Sequence, residues 1–150
     1  MGKISDRLSD IARNAGDLTP LREPVRNALK DGNRADRLAG LDWEGRPFKD
    51  LAPSTLERRR KQGLNGPPLA AHGPTARIIT KFFVDVRAGV GRLTFTGSWP
   101  MDWVRFHVTG SRRLPRRDPM GFRAPTLDRA RALLLEHIAN NKKGWWFRGR

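Results

Sequence analysis

The sequence contains no cysteine, and no stretch of it approaches the roughly 18 consecutive apolar residues of a membrane-spanning helix. The first absence excludes a disulfide framework and any thiolate metal site. The second leads to the expectation of a soluble protein with no membrane partner. Acidic side chains are scarce where cations are dense: residues 1–50 hold 10 Lys/Arg and 9 Asp/Glu, whereas residues 51–150 hold 20 and 6. So few carboxylates leave a two-metal nuclease short of ligands. The three histidines, His72, His107 and His137, are far apart and form no HExxH, and neither GxSxG nor a P-loop is present. The expectation is a protein that is not an enzyme and has no cofactor, metal site or catalytic residue. At the N-terminus, MGKISDRLSDIARNAG has no apolar signal core, and Asp6 stands where a myristoylation signal needs Ser or Thr.

What is present is 150 residues, 37% hydrophobic, with 15 Gly and 11 Pro. That length suits one domain, and the composition predicts a modest core with long loops. The net charge is +15, of which +14 follows Asp50. Such an excess attracts polyanions: nucleic acid, acidic protein surfaces or anionic lipid.

Apolar spacing predicts an amphipathic helix over residues 3–14, capped by Ser5 or Asp6 and ended by Gly16. A second helix opens at Asp17 or Thr19, carries Leu21, Val25, Ala28 and Leu29 on one stripe, and stops at Asp31-Gly32. Residues 33–52 read as an ordered loop pinned by Trp43 and Phe48. Ser54-Thr55-Leu56-Glu57 fits a capping box, so a helix is expected over residues 54–62. Its Arg58, Arg59, Arg60 and Lys61 run is either a solvated face or a contact for phosphates or carboxylates. Residues 63–74, with Pro67-Pro68 and three glycines, exclude regular structure, and residues 75–81 read as a short helix or turn.

Alternating apolar residues at 82–86 and 92–96 around Ala88-Gly89-Val90-Gly91 predict a β-hairpin. Its buried face would be Phe83 or Phe82 with Val84, Val86, Leu93 and Phe95. A helix over residues 99–109, capped by Ser98 and ended by Gly110, is expected to pack on the sheet. The loop RRLPRRDPMGF carries Arg112, Arg113, Arg116 and Arg117 and has room for a third strand. The last helix shows Leu127, Ala130, Leu134 and Ile138 on one face. The tail KKGWWFRGR sets Trp145, Trp146 and Phe147 among cations, an arrangement that suits docking on a neighbour or on its own domain. Those aromatics and the charge also suit stacking on nucleic acid, although no RRM, KH, zinc-finger or helix-turn-helix signature supplies base readout.

The order of these blocks resembles the phage virion morphogenesis or tail-completion family, the Mu-type and P2-type proteins, with relatives among tailed-phage neck proteins. GRPFKDLAPSTLERRRKQG resembles the family's entry motif, with Phe48, Leu51, Pro53, Thr55, Arg59 and Arg60 at its key places. PPLAAHGPTARIITKFF, holding Gly73, is similar to the segment before the family's hairpin. DWVRFHVTG is similar to its histidine helix, matching at His107 and Gly110, and LPRRDPMGF, with Pro115 and Arg117, to its closing motif. Together the blocks span about residues 43–140.

The resemblance implies an α+β fold: a small antiparallel sheet built on a β-hairpin and packed against a long C-terminal helix, with N-terminal helices and long loops. It divides the chain into an N-terminal helical segment (1–40), a tail-completion-like core (41–141) and a basic aromatic tail (142–150). It implies a structural subunit of a homo-oligomeric ring, hexameric by expectation, in the virion at the head–tail junction, assembled in the host cytoplasm. Other neck or tail proteins would be its partners, with packaged DNA touched through its backbone. Arg58, Arg59, Arg60, Lys61, Arg112, Arg113, Arg116, Arg117, Trp145, Trp146 and Phe147 are then the expected subunit or DNA-channel contacts. The alternative is a basic nucleic-acid-binding accessory protein without sequence-specific readout.

Overall fold

A computed structural model of the chain describes residues 11–100, 102–110 and 115–139. In chain order it gives helix α1 (residues 11–16), a 3-10 turn (Thr19–Leu21), α2 (Arg22–Leu38), α3 (Pro53–Lys61), α4 (Arg77–Thr80), strands β1 (Phe83–Gly89) and β2 (Arg92–Ser98), α5 (Trp103–Thr109) and α6 (Ala124–Ala139). The fold is α+β, with a two-stranded antiparallel hairpin and a long helix near the C-terminus.

The hairpin forms where alternation predicts it. Phe83 pairs with Ser98, Val86 with Phe95 and Gly89 with Arg92, and Gly91, at φ 62°, turns the chain between them. Period-two geometry puts Val84 and Val86 on the buried face and leaves Phe83 exposed. Phe82, just before the strand, supplies the buried aromatic. The hairpin tip is tied to the end of α1: Gly91 N–H donates to the Gly16 carbonyl at 3.1 Å, and Asp17 bridges Val90.

The main core joins Leu18, Leu21, Val25 and Leu29 to Phe82, Val84, Val86 and Ala130. Phe122 fills its edge, with ring centroids 5.9 Å from Phe82 and 5.6 Å from Phe95. Residues 18–29 therefore share one core with the hairpin and α6, across the boundary expected near residue 40. Each Leu, Val or Phe side chain so removed from water stabilises the fold by about 1.5–3 kcal/mol. A second, smaller cluster holds Ala70, Ala76, Ile78 and Val104. Trp99 touches both clusters and donates its indole N–H to the Ile78 carbonyl at 2.7 Å.

Several boundaries differ from the sequence reading. Helix α2 runs through Asp31-Gly32 to Leu38. Gly32 does not stop it but lets α6 approach, because a Cβ there would meet the Thr126 side chain. Helix α3 begins at Pro53 behind Ala52, and no side chain caps it. Proline's fixed φ starts the helix one residue before the expected capping box, which moves Ser54 out of the cap. Helix α5 begins at Trp103 rather than Trp99, since Ser98 belongs to β2. It seats Val104 in the second cluster instead of packing on the sheet. In α6 the buried residues are Thr126 and Ala130, with Leu133 and Leu134 half-buried, while Leu127 is 38% exposed. Residues 115–120 form no strand. Most of the first predicted helix and the whole aromatic tail lie outside the described residues.

Candidate functional site

The chemistry-bearing side chains converge on the loop after α2, where arginines hold main-chain carbonyls. Residues 39–48 turn back on themselves. Leu41 bridges Pro47, Phe48 N–H donates to the Gly40 carbonyl at 2.8 Å, and the Asp42 carboxylate accepts the amides of Glu44 (2.9 Å) and Arg46 (2.8 Å). This aspartate-led turn is the local reason the segment is ordered. It presents Phe48 inward, buried, with the Arg37 guanidinium 5.6 Å from its ring centroid.

Arg117 binds that loop to the far end of the chain. It is 4% exposed, and it donates Nε–H to the Lys49 carbonyl and Nη2–H to the Asp50 carbonyl, each at 2.7 Å. Its own amide donates to the His107 carbonyl at 2.8 Å, at the end of α5. Gly110 makes this approach possible: it stands at φ 72°, and a Cβ on it would lie 3.0 Å from the Arg116 nitrogen. Arg59 performs the same task for the loop after α3, donating to the carbonyls of Gly66 (3.1 Å), Pro67 (3.2 Å) and Pro68 (2.6 Å). A planar fork with several N–H groups suits such multiple capture, which one ammonium would not match.

A second group lies beneath. Arg37 is fully buried and donates to the Leu41 carbonyl. Asp36 accepts Arg123 Nη1–H at 2.8 Å, and Asn33 reaches the Gly121 carbonyl at 3.5 Å. Burial lowers the Arg37 pKa to about 10, against the opposing pull of Asp36, Asp42 and Asp118. Burial, and then the neighbouring Arg117, holds His107 below the ordinary imidazole value. His107 packs edge-on to Trp103, with centroids 5.6 Å apart, and its Nδ1 has no protein partner among the described residues.

Of the expected contact residues, Arg58, Arg60 and Lys61 are exposed on α3, with Lys61 paired to Glu57 at 2.9 Å. Arg116 is also exposed and pairs with Asp118 at 3.3 Å. Arg59 and Arg117 are not available for such contacts, because their guanidinium groups are engaged inside the chain. Arg112, Arg113, Trp145, Trp146 and Phe147 lie outside the described residues. Of the residues expected to be structural, Phe48, His107, Gly110 and Arg117 share the network. Leu51, Thr55 and Pro115 are half-buried, and Gly73 takes φ 57° at the start of a short 3-10 turn. The entry-motif resemblance also makes Leu56 an inward anchor beside Phe48 and Leu51, but Leu56 is 48% exposed.

The sequence reading missed Asn33, Asp36, Arg37 and Arg123. A signal existed: the α2 stripe Val25–Leu29 continues at helical spacing onto 33, 36 and 37, and polar groups on a buried stripe require partners. Among the described residues, no group of three His, Asp or Glu side chains is placed to hold a metal ion, and no helix is long and apolar enough to cross a membrane. No family model, curated protein or solved structure matches the chain.

Proposed function

We propose that the chain is a structural virion subunit of a tailed phage, of the tail-completion or neck type, which closes a ring at the head–tail junction and performs no catalysis. The observation that carries this reading is the Arg117 network. It joins the blocks that resemble the family's entry, histidine-helix and closing motifs through carbonyls of Lys49, Asp50 and His107. In that arrangement the polar residues of the motifs fasten one segment to another, and His107 is a positioned helix end with no carboxylate partner among the described residues. A subunit of this kind needs a cross-braced body with exposed cations, here Arg58 and Arg60 on α3, to meet a neighbour or packaged DNA.

The test is the oligomeric state and the particle. Light scattering after size exclusion and negative-stain microscopy should show a ring, six-fold by expectation, and the protein should be found in particles at the head–tail junction. The alternative, a basic nucleic-acid-binding accessory protein, draws support from the net charge of +15. A monomer that binds DNA with steep salt dependence and is absent from particles would establish that alternative and sink the virion reading.

A further inference from the structure

Two lysines and an exposed aromatic ring share one cleft. The cleft has a volume of about 470 Å³ and lies where α2, the end of α4 and the open end of the hairpin meet. Lys30 and Lys81 line it together with Phe83, Ser98, Thr80 and Trp99. Phe83 is 58% exposed. Strand alternation turns it from the face that buries Val84 and Val86, and its cross-strand partner, Ser98, is too small to cover it. Trp99 is fixed in place by its bond to the Ile78 carbonyl and by its contact with Phe82, 4.5 Å between centroids. Among the described residues no carboxylate lines the cleft, and neither lysine belongs to an ion pair.

We propose that this cleft binds a nucleotide unit of single-stranded nucleic acid, with the base stacked on Phe83 and the adjoining phosphates held by Lys30 and Lys81. A nucleotide couples a flat π-face to a permanent anion a few ångströms away, and the cleft offers the matching pair: an open ring beside two ammonium groups. Ser98 and Thr80 add hydroxyls for the sugar or base edge. A duplex keeps its base faces within the stack and cannot use Phe83, whereas an acidic peptide uses the lysines but gives the ring no flat partner. Stacking of this kind is tolerant of sequence. The proposal does not rest on the virion reading and stands or falls separately.

The experiment uses the full chain and a short fluorescein-labelled oligothymidylate, followed by anisotropy over a salt series, with a duplex of equal length and a polyglutamate peptide as competitors. Phe83→Leu keeps apolar bulk but removes the π-face, and it should weaken single-strand binding about tenfold or more. Phe83→Trp should preserve or tighten binding. The double variant Lys30→Gln/Lys81→Gln should lower the salt slope by about 1.4, and it should weaken binding more than the charge-matched Arg58→Gln/Arg60→Gln. All five substituted positions are exposed, and circular dichroism checks each fold. Wild-type affinity in Phe83→Leu, or equal losses in the two double variants, overturns the proposal. So does polyglutamate that binds more tightly than the oligonucleotide and depends on the same residues, an outcome that would assign the cleft to an acidic protein segment. If Phe83→Leu did not fold, Phe83→Trp and the lysine variant would still decide.

Discussion

Gly32 faces Thr126 so closely that a Cβ placed on the glycine would lie 2.3 Å from the threonine hydroxyl oxygen. The two helices α2 and α6 therefore touch through a residue with no side chain, in the middle of α2. Alanine is favoured over glycine in a helix by about 1 kcal/mol. Gly32→Ala should nevertheless destabilise the protein, because overpacking of this kind costs about 1–3 kcal/mol and the neighbour is a β-branched side chain in a packed seam. Urea unfolding measures the loss. Adding Thr126→Ala should recover part of it, since the Thr126 Cβ still lies 2.8 Å from the added atom. A Gly32→Ala protein more stable than the parent would show that the helices separate freely.

Arg117 should be worth far more than its exposed neighbours. Arg117→Ala removes two charge-assisted bonds to the Lys49 and Asp50 carbonyls and should lower stability by about 2–4 kcal/mol. Arg117→Lys keeps the charge but not the fork, and it should lose most of the same amount. Arg58→Ala and Arg60→Ala, on the exposed face of α3, should stay within about 0.5 kcal/mol of the parent. Denaturant midpoints for the four variants separate an internal clamp from a surface charge.

His107 gives the fold an acid-side weakness. Burial and Arg117 lower its pKa in the folded protein from the ordinary 6.5, so the unfolded chain takes up a proton more readily. Stability from this source is therefore undiminished above pH 6.5. It declines as the pH falls below that value and levels off once the folded-state pKa has been passed. Melting temperatures followed downward from neutral pH should show the decline in the parent and a flatter profile in His107→Gln. Asp17, whose pKa is lowered chiefly by its hydrogen bonds to Thr19, acts in a separate window: its contribution is full above 3.8 and is lost as the pH falls through its folded value.

Arg59 closes the loop after α3. Arg59→Met keeps the stem but releases the carbonyls of Gly66, Pro67 and Pro68, and limited proteolysis should then cut within residues 63–74 several times faster. Gly66→Ala should act similarly, because an added Cβ would run into the Ala70 carbonyl oxygen. Unchanged cleavage in both variants would show that the prolines alone hold the loop.

The parts legible in the sequence were those written in local pattern. Alternation at Val84, Val86, Leu93 and Phe95 located the hairpin, and helical spacing at Val25 and Leu29 located α2, because both periodicities belong to a single element. The parts that were not legible depend on residues distant in sequence. Gly32 reads as a stop signal until Thr126 stands opposite it. Leu127 reads as core until α6 turns Thr126 and Ala130 inward. Arg59 and Arg117 read as surface cations because charge is ordinarily solvated, and only the fold supplies the carbonyls that draw them inside. His107 and Gly110 were picked out through the resemblance, but their contact with the Arg117 segment was not visible in the chain.

The bonds that hold the loop after α2 also impose an order in time. Asp36 finds Arg123, Asn33 finds Gly121, and the carbonyls of Lys49 and Asp50 find Arg117, at separations of 67–88 residues. A chain growing from its N-terminus can make α2 and the Asp42 turn early, but Asp36 and the Lys49 and Asp50 carbonyls remain without their partners until residue 123 has emerged. The first third of the protein is therefore obliged to wait for the last, and a fragment cut before residue 117 would expose a seam of charge and aromatic surface that the complete chain keeps shut.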